Sequence, residues 1–421
     1  MWRGWSGGLY GSLSALVAAC GFGVPASSGV AGDDVVIDAS LEAGDVDAPD
    51  APGTVAQRCH LSLGSDHSCV QRDSDHTVWC WGDHTYGELG AGTLGTSYST
   101  AALQVPLGGM TTGVATKSYH ACARIADGTV ECWGINDAMQ IGDGTTGTHY
   151  SATTVVGLST VLEVGVGRSF GCARRSTGDI TCWGANASGQ LGDGTVVAKS
   201  TPSTTVLGLT AAPIAIYVAS SHACALMPGG VGQCWGSNTY RQLGDGTTTD
   251  QSSAVAMPVT QIAQIAPSGY SVGGYLGGAT CALRTDGSVW CWGSNDFGQL
   301  GNGNTSTTPT STAVQVSGLT GAVELVAGRY HACAREQDGA VACWGRNDGG
   351  QIGDGTYNTR SAPFTVPLPR PALHVAAGGY HTCALLDDYA LYCWGYNSSG
   401  QLGDGSFTTR TSPVVSHTLC Q

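Results

Sequence analysis

The sequence predicts an all-β, seven-bladed β-propeller made of four-stranded blades, each blade with an internal disulfide. The triplet Cys-Trp-Gly occurs seven times at intervals of 50 to 57 residues, beginning at Cys80, Cys132, Cys182, Cys234, Cys291, Cys343 and Cys393. So regular a period indicates a repeat architecture built from one supersecondary unit. Charged residues make up only 11% of the chain and Gly fills 65 of 421 positions, which favours short strands joined by tight turns.

Before the repeats, the first 55 residues predict an exported chain. Residues 1–20 carry one Arg, an apolar run and small residues before Cys20, as in a signal peptide. The segment Val17-Ala18-Ala19-Cys20 resembles the lipobox of bacterial lipoproteins, which makes Cys20 the expected lipidation site. The alternative is an ordinary signal peptide that is cleaved elsewhere. Residues 21–55, acidic and poor in residues that can be buried, are expected to form a disordered linker to a propeller over residues 56–421.

These features predict a location in the cell envelope, as an outer-membrane-anchored lipoprotein or a periplasmic or extracellular protein, with membrane contact only through the lipid. The formal net charge is −14 and the chain holds two Lys. Binding to phosphate backbones relies on clustered Lys and Arg, so nucleic acid is excluded as a partner. A monomer is expected.

Sixteen of the seventeen cysteines can be paired from the repeat. Two Cys in each repeat flank a hairpin signal such as Thr285-Asp-Gly-Ser288, which places them opposite each other on adjacent antiparallel strands, within reach of a disulfide. These pairs are Cys69/Cys80, Cys122/Cys132, Cys172/Cys182, Cys224/Cys234, Cys281/Cys291, Cys333/Cys343 and Cys383/Cys393. The alternative, structural zinc, normally needs two close-set pairs.

The remaining pair, Cys59 and Cys420, predicts how the ring closes. Aligned on the repeat, these two residues correspond to positions only three residues apart within the array. They should therefore be neighbours where the first and seventh blades meet, and a disulfide there would close the circle.

Each repeat predicts four short strands, and the alternation of its residues predicts which side chains lie on each face of a blade. In the copy from Ala322 to Pro369, the apolar run A-V-E-L-V-A-G is followed by H-A-C-A-R, A-V-A-C-W-G and S-A-P-F-T-V. Cys lies on one face of the blade, whereas Trp and the Ala beside Cys lie on the other. The Trp of one blade is expected to fill the space to its neighbour.

The repeat pattern H-x-C-A-L-x-x-D-G-x-V-x-C-W-G-x-N-x-x-G-Q-L-G-D-G resembles the repeat of the regulator-of-chromosome-condensation family, over about Ala56 to Gln421. That resemblance implies a seven-bladed propeller. The founding eukaryotic members of the family are nuclear exchange factors for a small GTPase and bind chromatin. Secreted bacterial relatives include a propeller that caps β-lactamases with one face, so the resemblance implies function through one face of the ring.

Three recurrent patterns favour structural over chemical roles. The histidines two positions before the first Cys (His67, His120, His222, His331 and His381) are expected to be buried and hydrogen-bonded rather than metal ligands. The Asp of G-D-G indicates Asx turns rather than calcium loops, which need denser acids. Two G-x-S-x-G segments, Gly167–Gly171 and Gly269–Gly273, lack the strand-to-helix context of a nucleophile elbow. No catalytic residue, metal or cofactor is therefore predicted.

The connections before the first Cys vary most between copies, and they predict a binding rim on one face of the ring. In the fifth copy this connection is about nine residues longer, and it is either a binding element or a drifted loop. The candidate rim consists of Asp66, Tyr119, Arg168, Ser169, Ser221, Tyr270, Tyr275, Arg329, Tyr330 and Tyr380. The predicted function is a non-enzymatic exported module that binds a protein or cell-envelope partner. A carbohydrate-binding propeller is the alternative, and a guanine-nucleotide exchange role follows from family analogy alone.

Overall fold

The computed structural model describes residues 59–93, 96–272 and 275–420, with the side chains of residues 270–276 left aside. The predicted signal peptide, the lipidation site Cys20 and the linker 21–55 lie outside the described residues. So do the side chains of Tyr270 and Tyr275. Within the described residues, no helix is long and apolar enough to cross a membrane.

Every regular element in the described part of the chain is a β-strand, and the strands form seven antiparallel sheets in chain order. Blade one contains β1 (Cys59–Leu63), β2 (His67–Arg72), β3 (Thr77–Asp83) and β4 (Tyr98–Gln104). Blade two contains β5 (Thr111–Lys117), β6 (His120–Ile125), β7 (Val130–Gly134) and β8 (His149–Thr154). Blade three contains β9 (Val161–Val166), β10 (Phe170–Arg175) and β11 (Ile180–Gly184).

The last four blades are each complete four-stranded sheets. Blade four contains β12 (Ala215–Val218), β13 (His222–Met227), β14 (Val231–Gly236) and β15 (Gln251–Ala256). Blade five contains β16 (Ile262–Val272), β17 (Tyr275–Arg284), β18 (Val289–Asn295) and β19 (Ser306–Gln315). Blade six contains β20 (Ala322–Ala327), β21 (His331–Glu336), β22 (Val341–Gly345) and β23 (Arg360–Thr365). Blade seven contains β24 (Ala372–Ala377), β25 (His381–Leu386), β26 (Leu391–Gly395) and β27 (Arg410–Val415).

Blade three departs from the common pattern at its outer edge. Its fourth segment makes two isolated bridges, Thr181 with Thr205 and Gly184 with Lys199, instead of a continuous strand. The predicted propeller of four-stranded blades is thus confirmed, with one outer strand reduced to two points of pairing.

The first strand of each blade lines a central channel, and these strands contact one another in cyclic order from β1 to β24 and back to β1. The channel encloses a cavity of about 220 Å³. Because the strands alternate in direction, the connections between first and second strands and between third and fourth strands lie on one face. We call this the loop face; in blade one its described residues are 64–66, 84–93 and 96–97. The hairpin turns between second and third strands lie on the opposite, turn face.

The disulfides and tryptophans occupy the interfaces between blades, as the sequence predicts. The seven Cys pairs within blades form disulfides with Cα–Cα distances of 4.0 to 4.2 Å. The side of blade five that carries Cys281 and Cys291 packs against Ala332 and Trp344 of blade six, and all four residues are buried. Burial of this kind recurs around the ring and accounts for most of the core.

Each tryptophan also donates a hydrogen bond to the preceding blade. Its Nε1 lies 2.8 to 3.0 Å from a backbone carbonyl oxygen in the G-Q-L-G loop. The pairs are Trp81–Gln401, Trp133–Glu88, Trp183–Gln140, Trp235–Gln190, Trp292–Gln242, Trp344–Gln299 and Trp394–Gln351. A buried indole N–H requires such a partner, so the repeat loop supplies both packing and an acceptor to the next blade.

The ends of the ring are joined by a disulfide, and the first and last blades are separate sheets. Blade one is built entirely from the first four strands and blade seven entirely from the last four. Cys59 and Cys420 form a disulfide with a Cα–Cα distance of 5.7 Å, as the alignment of the repeats predicts. The bond from Trp81 to Gln401 crosses the same junction.

The long connection of blade five differs from its prediction in form and length. It is a continuation of β16 and β17, whose pairing runs outward to Val272 and Tyr275. Cys281 pairs with Ala266, fifteen residues earlier, whereas Cys333 of blade six pairs with Val326, seven residues earlier. The insertion is therefore eight residues, not about nine, and it is an extended β-hairpin because the added residues keep hydrogen-bonding in register.

Candidate binding face

All the described candidate rim residues lie in connections on the loop face, around the mouth of the channel. Asp66, Tyr119, Arg168, Ser169, Ser221 and Tyr380 are partly exposed. Arg329 and Tyr330, however, are only 8% and 3% exposed. The latter two side chains therefore support the surface from beneath more than they present area to a partner.

Arg346 is the centre of an aromatic cluster on this face. Its guanidinium carbon lies 4.8 Å from the ring centroid of Phe297, 5.4 Å from Tyr330 and 5.3 Å from Tyr380. The ring of Tyr396 contacts Tyr380 edge-on at 6.3 Å. We call these five residues, which come from blades five, six and seven, the Arg346 cluster. Cation–π contacts of this kind orient a guanidinium that would otherwise be mobile.

Asp348 fixes the same guanidinium from its own loop. Arg346 Nε donates to Asp348 Oδ1 at 2.8 Å and Nη2 to Oδ2 at 2.5 Å, a bidentate pair. Burial works to lower the pKa of Arg346, but its hydrogen bonds to Asp348 and the electrostatic effect of the nearby tyrosines raise it overall. Arg346 is thus a permanently charged group held among aromatic rings, while Asp348 and Tyr396 remain exposed.

The extended hairpin of blade five lies against this cluster. A Cβ atom at Gly277 would stand 3.1 Å from Cε1 of Tyr330, so the close approach depends on glycine. On the other side, Ser220 of blade four donates a hydrogen bond to the carbonyl oxygen of Gly269 at 2.6 Å. The hairpin is therefore fixed between blades four and six, next to Tyr330.

The sequence reasoning missed Phe297, Arg346 and Tyr396. These residues lie in or beside the connections between third and fourth strands, whose repeated G-Q-L-G-D-G motif points to a scaffold role. The signal that could have found Arg346 is its position directly after Cys-Trp-Gly, where the other copies carry unrelated residues: Asp83, Ile135, Ala185, Ser237, Ser294 and Tyr396.

All five recurrent histidines are buried, and three of them are hydrogen-bonded as predicted, whereas the ring nitrogens of His67 and His120 have no hydrogen-bond partner among the described residues. His222 Nε2 lies 3.0 Å from the Thr280 hydroxyl of the next blade, His331 makes the equivalent contact with Thr382, and His381 with Ser68 at 2.9 Å. Burial lowers the pKa of His67, His222, His331 and His381 to about 3 and that of His120 to about 4. Among the described residues, no group of three or more His, Cys, Asp or Glu is placed to hold a metal ion.

The Asn and Asp of the repeat shape the loop that receives the next tryptophan. Asn347 Oδ1 accepts from the Ile352 N–H at 2.9 Å and its amide donates to Asp354 Oδ1 at 3.0 Å. Asp354 in turn accepts from the Thr356 N–H at 2.9 Å, an Asx turn. In blade one, where Asn is missing, the Leu89 N–H donates to His84 Nδ1 at 3.3 Å.

The two G-x-S-x-G segments fall in hairpins. Ser169 lies in the connection between the antiparallel strands β9 and β10, and residues 269–272 of the second segment belong to β16, which pairs with β17. A nucleophile elbow requires a strand followed by a helix, so neither segment has that geometry.

Comparisons with known proteins agree with this architecture. Two models described as the Regulator of chromosome condensation (RCC1) repeat match the chain, one over residues 286–335 and 338–385, the other over 59–88, 161–190, 322–351 and 373–401. The ultraviolet-B receptor UVR8 of Arabidopsis thaliana is 32% identical over 161 residues, covering 37% of this chain and 35% of the receptor. Protein pim1 of Schizosaccharomyces pombe is 31% identical over 168 residues, covering 35% of this chain and 31% of pim1.

The chain therefore matches about a third of the length of these two relatives. Among solved structures, Prp20p from Saccharomyces cerevisiae, described together with its binding to Gsp1p and histones, superposes with a TM-score of 0.70 at 20% identity over 86% of each chain. Likeness at that identity shows the fold alone. A closed ring of seven stacked blades with one elaborated face defines a repeat-built β-propeller. Models of the regulator of chromosome condensation (RCC1) repeat match parts of blades one, three, five, six and seven.

Proposed function

We propose that this propeller is a non-enzymatic binding module whose loop face captures a protein partner, with the Arg346 cluster at the centre of the contact. The observation that carries the proposal is the fixed placement of Arg346 among three aromatic rings from three blades. Tyr and Arg are enriched among residues that dominate binding energy, and an anchor that is already ordered loses less entropy on association.

Two further observations support a protein partner. Exposed aromatic side chains also lie in connections of the loop face, including Tyr357 at 55% and Phe407 at 52% exposure. Prp20p is described by its binding to Gsp1p and histones, which are proteins.

The proposed partner of this chain belongs to the cell envelope. This part of the proposal rests on the exported character of residues 1–20 and on the eight disulfides, since disulfides persist in oxidising compartments.

Binding of an identified partner tests the proposal. The full chain, immobilised with its disulfides intact, captures proteins from envelope extracts, and the captured protein is then titrated against variants. Arg346→Ala should weaken binding by about 30-fold or more, the effect of losing about 2 kcal/mol at a hot spot. Arg346→Lys keeps the charge but loses the planar stacking, and it should also weaken binding.

Met110→Ala is the matched control, because Met110 is 57% exposed and lies on the turn face. It should leave affinity within about twofold, the range of surface changes outside an interface. Equal affinity of the Arg346→Ala variant and the wild type, with both shown to be folded by thermal unfolding, would refute the proposal.

Carbohydrate binding remains the second candidate, since aromatic rings also stack on sugars. It predicts equivalent pockets in successive blades. Phe297 contacts Tyr330 between blades five and six, and Tyr86 contacts Tyr119 between blades one and two, but the residue at the position of Arg346 in this second pair is Ile135. Binding to a glycan array by the wild type, abolished in a Tyr396→Ala variant, would favour carbohydrate over protein. A role in nucleotide exchange would instead show as faster nucleotide release from a small GTPase.

Export and lipidation are tested separately from partner binding. Mass spectrometry of the mature chain should find Cys20 as a lipidated first residue. An unmodified chain that begins at Met1 would refute both export and anchoring.

A further inference from the structure

Two cationic side chains cross the mouth of the central channel on the loop face. Arg329 extends from blade six to blade one, where its Nη2 donates to the Ser65 hydroxyl at 2.8 Å, and its guanidinium carbon lies 4.9 Å from the Tyr380 ring. Lys117, the last residue of β5 in blade two, reaches across to blade six, where its Nζ lies 3.4 Å from the Ala327 carbonyl oxygen. The two side chains therefore meet from opposite sides of the ring.

Within the described part of the chain, no negatively charged group is found to compensate Lys117. The charged group that faces it is Arg329, which together with burial lowers the pKa of Lys117 to about 8. The nearby imidazoles of His222 and His331 are neutral, since burial lowers the pKa of both to about 3. Among the described residues, the ammonium group is paired with no carboxylate, and its single hydrogen bond is long for an ammonium donor.

The acidic groups of the channel are already neutralised near its other end. Glu163 Oε2 accepts from Arg174 Nε at 3.0 Å, and Glu324 Oε2 accepts from Arg335 Nε at 2.7 Å. Both glutamates lie in the first half of an inner strand, whereas Lys117 is the last residue of its own. The channel is thus cationic at the loop face and neutralised below it.

One of the three ammonium donors has a hydrogen-bond partner among the described residues, and a partly buried charge without further partners is costly. Arg329 is partly compensated by Asp66, whose pKa burial raises and Arg329 lowers. The site therefore has an excess of about one positive charge, contributed by Lys117. A group with one negative charge matches it, whereas a dianion would bring uncompensated charge into a partly desolvated site.

We propose that Lys117 and Arg329 form an anion site that receives a carboxylate at the loop-face mouth of the channel. The carboxylate comes either from a free small acid or from an acidic side chain of the protein bound to the loop face. The second source rests on the proposed function; the first does not. The channel cavity of about 220 Å³ has room for a group of this size.

The chain offers a clean probe, because Lys117 and Lys199 are its only lysines. Reductive methylation with ¹³C-formaldehyde labels both side chains for NMR spectroscopy and keeps their charge. Lys199 serves as the internal control: it belongs to blade three, where its Nζ lies 3.9 Å from Asp193 Oδ2 of the same blade. Signals are assigned with a Lys199→Arg variant of the full chain.

Titration with sodium acetate should shift the Lys117 signal in a saturable manner and raise its pKa, while the Lys199 signal stays in place. Because acetate binds the protonated amine, its affinity should fall as pH rises through about 8. Arg329→Gln should weaken acetate binding about tenfold, the effect of removing one charged partner. Sodium phosphate at equal ionic strength should bind less tightly than acetate.

The protein partner captured in the binding experiment distinguishes the two sources of the carboxylate. Competition between acetate and the partner assigns the site to a partner carboxylate, and simultaneous binding assigns it to a free acid. If neither acetate nor the partner moves the Lys117 signal, or if Lys117 and Lys199 respond alike, the anion site is refuted. A specific acetate shift, together with unchanged partner affinity in Arg346→Ala, would refute the proposed function and leave this site standing.

Discussion

Cys59 and Cys420 are 361 positions apart in the chain, and their Cα atoms lie 5.7 Å apart. The disulfide between them closes a ring whose first and last blades are separate sheets. Its effect on stability should therefore exceed that of any disulfide inside a blade, because it restricts a much longer loop of the unfolded chain.

Replacing Cys59 and Cys420 together by Ala should lower the free energy of unfolding by up to about 6 kcal/mol, whereas replacing Cys122 and Cys132 together should cost about 3 kcal/mol. The blade disulfide joins residues ten positions apart, so it serves as the short-loop comparison. Guanidinium unfolding without reductant measures both values. Equal losses in the two double variants would show that ring closure adds nothing to the blade contacts.

The packing of each loop glycine on the next tryptophan gives a second prediction. Gly353 and Gly355 have nearly the same positive φ, 80° and 79°. A Cβ at Gly353 would stand 2.8 Å from Trp394 Nε1, whereas at Gly355 the nearest atom, Ser412 Oγ, is 3.7 Å away. Gly353→Ala should therefore destabilise the protein by about 1–3 kcal/mol more than Gly355→Ala, as measured by denaturant unfolding. Identical midpoints would mean that the tryptophan shifts freely.

A third prediction concerns the histidine contacts between blades. His67 has two buried ring nitrogens without a partner, and the position that supplies a hydroxyl in blades one, five and seven is Ala121 in blade two. Ala121→Ser should raise stability by about 1 kcal/mol by supplying that hydroxyl. Ala332→Ser is the control, because blade five carries Ala279 instead of His, and this variant should lose stability. A loss of stability in both variants would exclude the predicted contact.

The buried histidines predict a loss of stability in mild acid. Their folded pKa values of about 3 to 4 lie below the value of about 6.5 for an unfolded histidine, so the unfolded chain binds more protons below pH 6.5. Stability is therefore fully present above pH 6.5 and falls as pH decreases towards 3, with each histidine contributing about 2 kcal/mol less at pH 5 than at pH 7.

His120→Phe tests this prediction without changing the fold, because Phe170 occupies the same position in blade three. The free energy of unfolding should depend less steeply on pH in the variant between pH 7 and pH 5, because about one proton fewer is taken up on unfolding. An unchanged slope would show that His120 does not take part.

The fold could be predicted from the sequence because its determinants recur seven times. The spacing of Cys69 and Cys80 and of the equivalent pairs defines the hairpins, and the offset of Cys59 and Cys420 within the repeat defines the closure. The form of the blade-five insertion could not be predicted, since pairing out to Val272 and Tyr275 depends on backbone hydrogen bonds that glycine-rich sequence does not specify.

The candidate site was predicted only in part. The connections before the first Cys do lie on one face, but Arg329 and Tyr330 are buried there. Arg346 contacts Phe297, 49 positions earlier, and Tyr380, 34 positions later, only because neighbouring blades bring different loops together. Contacts of this kind depend on side-chain direction across blades, which a single repeat does not reveal.

The closure by Cys59 and Cys420 also makes the starting point of the ring arbitrary. Since each blade is complete in itself, any junction between blades is equivalent to the one where the ends now meet. A circular permutant with residues 59 and 420 linked by a short peptide and new termini between blades three and four should fold to the same ring. The fold therefore depends on the order of the blades around the ring and not on which blade comes first in the sequence.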